Sequence, residues 1–266
     1  MRALSISKPD QNCVNEDAAI ANTKLIAVSD GAGGGGIYAD KWSEYLVSNL
    51  PETPIRSFDE LDEWIENIWE QFYNDCEKKA KEAGGMVLNK FYDEGSFATL
   101  AAVWYKADKA YWVAYGDSVA FCYSPSTCKL QHSFTSIADF NLPPYLINYK
   151  DELNLAGFRS GEFELKEGDI IFCASDALSH YILMMYELSN CGEYIEELQK
   201  AENSGSKEAA FIKNASSIRT VFYNDVLKKL INCKNNYIFE RHLKRLYYNK
   251  LIALDDYSFA YKIVKL

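Results

Sequence analysis

The sequence predicts an α+β fold in which antiparallel sheets pack together and helices cover their outer faces. Three observations lead there. Short β-branched and aromatic runs occur early in the chain, in its middle and at its end. Helical periodicity fills the intervals between them. Neither a βαβ alternation nor a solenoid period is present. A hydrophobic fraction of 48% and an aromatic fraction of 14% are too high for a disordered chain. A length of 266 residues suits a single domain, 1–266, built on one sizeable core.

The elements follow in order. Residues 23–30, Thr-Lys-Leu-Ile-Ala-Val-Ser-Asp, read as a buried strand that ends on an acid and runs into the glycine-rich loop Gly31–Gly36. No Gly-Lys-Ser/Thr follows that loop, which excludes a phosphate-binding P-loop. Its glycines are instead expected to give backbone freedom to Gly31. From Ala39 the apolar positions Trp42, Leu46 and Leu50 fall at helical spacing. Ser57 and Glu60 then form a capping box for a longer helix with Leu61, Trp64, Ile65, Ile68, Phe72 and Cys76 on its core face. Gly84-Gly85 stops it. Phe97–Tyr105, Lys109–Tyr115 and Val119–Tyr123 read as an antiparallel meander whose second turn is Gly116-Asp117. Residues 126–160 look irregular, with Pro143-Pro144 excluding a helix there. Phe163–Leu165 and Asp169–Ser175 read as strands. Residues 177–249 read as mainly helical with an interruption near 203–206, and Tyr257–Val264 as a closing strand.

Composition excludes several function classes. A formal net charge of -10, with no basic stripe beyond the short Arg241–Lys250 stretch, argues against nucleic acid. Seven cysteines without a CxxC pair predict reduced, mostly buried thiols, and three histidines without HxxxH spacing leave oxygen as the ligand for any metal. With no apolar leader and no run of about 18 apolar residues, the expectation is a cytoplasmic monomer without membrane contact.

One theme recurs: an aspartate where a strand stops and the backbone turns. It appears at Asn15-Glu16-Asp17, Asp30-Gly31, Gly116-Asp117-Ser118, Ser175-Asp176-Ala177 and Asp255-Asp256. Each alone is an ordinary turn or cap residue. Were the strands neighbours, their ends would bring five carboxylates to one edge, a packing tolerated only with cations between them. Hard oxygen ligands select Mg²⁺ or Mn²⁺.

These stretches, together with Ala27–Gly34, Gly95-Ser96-Phe97-Ala98 and Gly168–Leu178, occur in the order and at separations that resemble the type 2C metal-dependent Ser/Thr protein phosphatases. The resemblance implies a four-layer αββα sandwich with two Mn²⁺ or Mg²⁺ ions at one end, acting on a phosphorylated protein. In its terms Asp30 would bridge both ions and the Gly31 carbonyl would bind one. Asp176 and Asp255 would complete the other shell, Glu16 and Asp17 would hold ions directly or through water, and Asp117 would help bind a third, weaker ion. The sequence departs from the family at the phosphate-gripping arginine, for which Lys8 is the nearest substitute. His180, one helical turn beyond Asp176, is a candidate general acid. Two alternatives stand beside the active enzyme: a pseudophosphatase serving as a binding or regulatory module, and a metal-free α+β interaction protein.

Overall fold

A computed structural model describes residues 1–34, 36–189 and 207–265. Two five-stranded antiparallel sheets form its centre. The first has the order β1 (Arg2–Ile6), β12 (Tyr257–Ile263), β11 (Ile170–Ala174), β7 (Val119–Ser124), β8 (Lys129–His132). The second runs β10 (Phe158–Glu164), β6 (Lys109–Tyr115), β5 (Leu100–Lys106), β3 (Leu25–Ser29), β2 (Ala18–Ala21). A two-stranded ribbon joins β4 (Phe97–Ala98) to β9 (Ile147–Asn148).

Three apolar layers hold four structural layers together, as the expected αββα sandwich requires. Between the sheets lie small or slender side chains, among them Ile26, Val28, Ala101, Ala120, Cys122, Cys173 and Ala260, which let the two backbones approach closely. On the outer face of the second sheet, helices α1 (Ala39–Ser48), α2 (Phe58–Ala83) and α3 (Gly85–Asp93) bury Trp42, Leu46, Leu61, Phe72 and Phe91. On the outer face of the first, α4 (Asp176–Ser189), α5 (Lys207–Ser216), a π-helical turn at Tyr223–Leu227, α6 (Lys228–Ile231) and α7 (Asn236–Tyr248) cover Phe121, Phe172 and Phe259 with Leu178, Ile182, Leu230 and Phe239. Strands β3 and β11 are covered on both faces and buried at every position. That explains why they read as continuous apolar runs rather than alternating ones.

The α2 boundaries follow the predicted signals. The Ser57 hydroxyl accepts the Glu60 N–H at 3.2 Å, and the Glu60 carboxylate accepts the Arg56 N–H at 2.6 Å, one residue before the reciprocal partner of a standard capping box. Gly84 ends the helix at φ 62°, and the chain turns at once into α3, an element the sequence reading lacks.

The meander does not form as expected. Strands β5 and β6 pair, but β7 leaves for the other sheet, so Gly116-Asp117 is a crossing between layers rather than a hairpin turn. Gly116 sits at φ 87°, and a Cβ there would meet the Tyr145 carbonyl at 2.6 Å. A two-residue turn signal fixes a reversal, not the sheet in which the next strand lands. Phe97–Tyr105 is likewise broken at Thr99 into β4 and β5. Residues 126–160 are more ordered than their composition suggests. They hold β8, a 3₁₀ turn at Ile137–Asn141, β9 and the start of β10, of which Phe163–Leu165 marks only the end. The expected interruption near 203–206 lies outside the described residues. Cys76, Cys122, Cys173 and Cys233 are buried free thiols, whereas Cys13 and Cys128 are exposed and Cys191 is outside the described residues.

Candidate active site

Register alone gathers the acids. Ala18 pairs with Ser29, so the start of β2 lies beside the end of β3 and brings Asp17 toward Asp30. Ala174 pairs with both Phe259 and Val119, so the end of β11, the entry to β12 and the entry to β7 share one edge. Asp176, Asp255 and Asp117 are therefore neighbours. Leu100 opposite Tyr115 places the β6–β7 crossing next to Thr99 and the end of β3, which closes the ring across the two sheets.

Burial and mutual repulsion dominate the electrostatics. Asp30 and Asp176 are both held well above the ordinary carboxylate range, first by burial and then by their aspartate neighbours, which for Asp30 are Asp17, Asp176, Asp117 and Asp255. Burial also pushes Asp17 up to about 7 and Asp117 to about 6, the latter partly offset by its own backbone N–H and by Arg159. Asp17 is 6% exposed, and neither of its carboxylate oxygens has a hydrogen-bond partner. The Ser175 hydroxyl and Asp30 stand close enough to offset part of that burial without meeting hydrogen-bond geometry. A buried carboxylate left this way is destabilising unless a cation joins it.

Lys8 supplies the positive charge in this structure. Its ammonium stands 2.9 Å from an Asp255 oxygen. Burial works against its charge, but Asp255, Asp256 and Glu16 outweigh that and raise its pKa. Glu16 faces outward from the five aspartates, over Gly33 and near Lys8, Asp256 and Asp40, and burial raises its pKa. Asp256 is a structural tie. Its two oxygens accept the N–H groups of Lys8 at 2.7 Å and Glu16 at 2.8 Å, fixing the N-terminal segment to the start of β12. Gly31 and Gly33 owe their identity to space rather than to the expected backbone freedom. Neither has positive φ, while a Cβ on Gly31 would lie 2.5 Å from the Glu16 carbonyl and one on Gly33 would collide with the Glu16 carboxylate.

His180 lies on α4 as expected and lines a small cavity with Asp176, its ring edge-on to Phe140 at 5.4 Å between centroids. Two groups that the sequence reading gave no role frame the site. Thr99 receives the Asp30 N–H on its hydroxyl at 3.2 Å, gives its own N–H to the Asp30 carbonyl at 2.8 Å, and shares a 2.7 Å hydrogen bond with Ser118. Its signal is a hydroxyl inside an otherwise apolar run. Arg159 donates to the Gly116 carbonyl and lies 4.9 Å over the Phe134 ring, in the wall of an open cavity of about 450 Å³ beside Asp117. Nothing in residues 126–160 announced it, because strand β10 carries no clean alternation.

Among the described residues, no group of three or more His, Cys, Asp or Glu side chains is arranged to hold a metal ion as it stands. The donor set nevertheless suits a hard divalent cation: carboxylate oxygens, no thiolate in the cluster, and an Asp17 side chain with both oxygens unengaged.

The fold is that of the type 2C serine/threonine phosphatases. The catalytic domain of the serine/threonine protein phosphatase PstP, in complex with two manganese ions, superposes with a TM-score of 0.54 at 16% identity, covering 99% of this chain and 98% of that one. PppA of Pseudomonas aeruginosa gives a TM-score of 0.52 at 16% identity over 99% and 97%, and the phosphatase Stp1 of Staphylococcus aureus 0.53 at 13% over 99% and 95%. No protein-family model matches the sequence, and neither does any curated protein.

Proposed function

We propose that the protein is a metal-dependent phosphatase acting on phosphoserine or phosphothreonine in a partner protein. The observation that carries this reading is the ring of five aspartates, with Asp17 buried and its carboxylate oxygens unsatisfied, at one end of a type 2C phosphatase fold. Asp17, Asp30, Asp176 and Asp255, with the Gly31 carbonyl and Glu16, would hold two Mn²⁺ or Mg²⁺ ions, and Asp117 would serve a third, weaker one. Such ions, when bound, supply a water of lowered pKa and offset charge developing at phosphorus.

The chain's own groups divide the remaining work. Lys8, on the rim of the ring, would meet a phosphate oxygen as a point charge in place of a guanidinium fork. His180, which shares a cavity with Asp176, would hand a proton to the serine or threonine oxygen as the P–O bond breaks. The cavity walled by Arg159 and Tyr145 would take residues flanking the phosphorylated one. The protein would act as a cytoplasmic monomer; no helix among the described residues is long and apolar enough to cross a membrane.

The Lys8–Asp255 ion pair favours a second reading, in which the same ring has become a regulatory module without turnover. Hydrolysis of p-nitrophenyl phosphate and of a phosphothreonine peptide in millimolar Mn²⁺, with and without chelator, separates the two. Metal-dependent turnover that Asp176→Asn removes establishes the phosphatase. Absence of turnover while calorimetry still records Mn²⁺ binding establishes the module.

A further inference from the structure

The Arg241–Lys250 stretch is the one basic run in an acidic sequence, and no part of the aspartate ring uses it. Its helix, α7, packs so that Arg245 and His242 line a cavity of about 280 Å³ on the far side of α4. Arg219 enters the cavity from the bend before the π-helical turn, and Lys229 from α6. Tyr181 and Met185 of α4 form part of an apolar wall. Asp225 is the one acid in the lining; it accepts the Val221 N–H at 2.9 Å and the Lys229 ammonium at 3.5 Å. Three cations against one acid, gathered at a concave surface, focus a positive potential on a protein whose overall charge repels anions.

His242 adds an independent sign of a ligand. Its Nε2 is buried without a hydrogen-bond partner, and burial together with Lys229 and Arg245 pushes the imidazole down to about 4. At neutral pH the ring is uncharged and has one N–H to offer. Arginine forks and a lysine suit a doubly charged tetrahedral oxyanion, and the volume is that of a single small molecule rather than a peptide.

We propose that this cavity is a second site, separate from the aspartate ring, that binds a small phosphate-bearing anion through Arg219, Lys229, His242 and Arg245. The phosphate could be free or esterified to a small organic body lying on Tyr181 and Met185, and two probes distinguish these sources.

The test is calorimetric titration of the metal-free full chain with inorganic phosphate and, separately, with glycerol phosphate. Saturable binding is expected for one or both, weakened at least tenfold in the Arg219→Ala, Arg245→Ala double variant and unchanged in Asp176→Asn. The tighter probe names the source. Lys229→Ala, at another exposed position, gives the same reading should the double variant fail to fold. Absence of saturable binding by either probe overturns the proposal, as does binding that the cavity variants retain in full.

Discussion

Strand β11 carries an aspartate at each end, and the two are held in opposite ways. Before its first residue, Asp169 is 4% exposed with both oxygens engaged, one by the Ser124 hydroxyl at 2.7 Å and the other by the Lys166 N–H at 2.9 Å. Beyond its last, burial and then the charges of Asp117, Asp255 and Asp17 hold the Asp176 carboxyl well above the ordinary range, and neither carboxylate oxygen of Asp17 receives a hydrogen bond. Both ends bury carboxylate. Only one end satisfies both oxygens of its carboxylate with hydrogen bonds, and a fold selected for stability alone would have no use for the other. The difference separates an acid whose turn satisfies it from acids whose burial is left uncompensated.

The most sensitive way to break that contrast is pH. The Asp17 carboxyl is pushed from 3.8 to about 7 by burial, so the folded state holds its proton more tightly than the unfolded chain does. Stability of the metal-free protein should then fall as pH rises from 3.8 to about 7, by on the order of 4 kcal/mol if the shift is fully expressed. Urea titrations across that range should record the fall, Asp17→Asn should make it shallower while Asp30, Asp117 and Asp176 keep their share, and added Mn²⁺ should reverse it. A wild-type profile identical to that of Asp17→Asn would erase the distinction between the two ends.

Turnover sharpens the contrast next. Asp176→Asn should lower Mn²⁺-dependent turnover at least ~100-fold while raising the metal-free melting temperature, since it removes a repelled charge. At the opposite end, Asp169→Ala strands the Lys166 N–H and should destabilise by about 2 kcal/mol with turnover unchanged, read by denaturation and a matched rate assay. The smallest effect belongs to a site remote from both. Ser57→Ala removes the α2 cap and should cost about 1 kcal/mol in the same denaturation experiment.

What could be read beforehand divides along physical lines. Helix α2 was legible because its cap, its apolar stripe and its stop are all local signals within one segment. The position of each acid at a strand end was legible for the same reason. The crossing at Gly116-Asp117 was not, because the choice of sheet depends on what β7 packs against rather than on the turn. Thr99 and Asp256 were invisible as organisers, since their partners lie 69 and 248 residues away. The fourth structural layer was legible only as helical periodicity. Its π-helical turn and its basic cavity arise from packing among short segments.

The central place of β12 has a consequence during synthesis. It pairs with β1 on one side and β11 on the other, and β1 has no other neighbour in its sheet. At ~5–20 residues per second, roughly 10–50 s pass between the synthesis of β1 and that of β12. Throughout that interval Asp255 is missing, the N-terminal segment lacks its Asp256 anchor, and β1 remains an unpaired edge. A partly translated chain should therefore be unable to assemble the aspartate ring, and any holdase that protects it would be recognising a β-strand waiting for a partner made long after it.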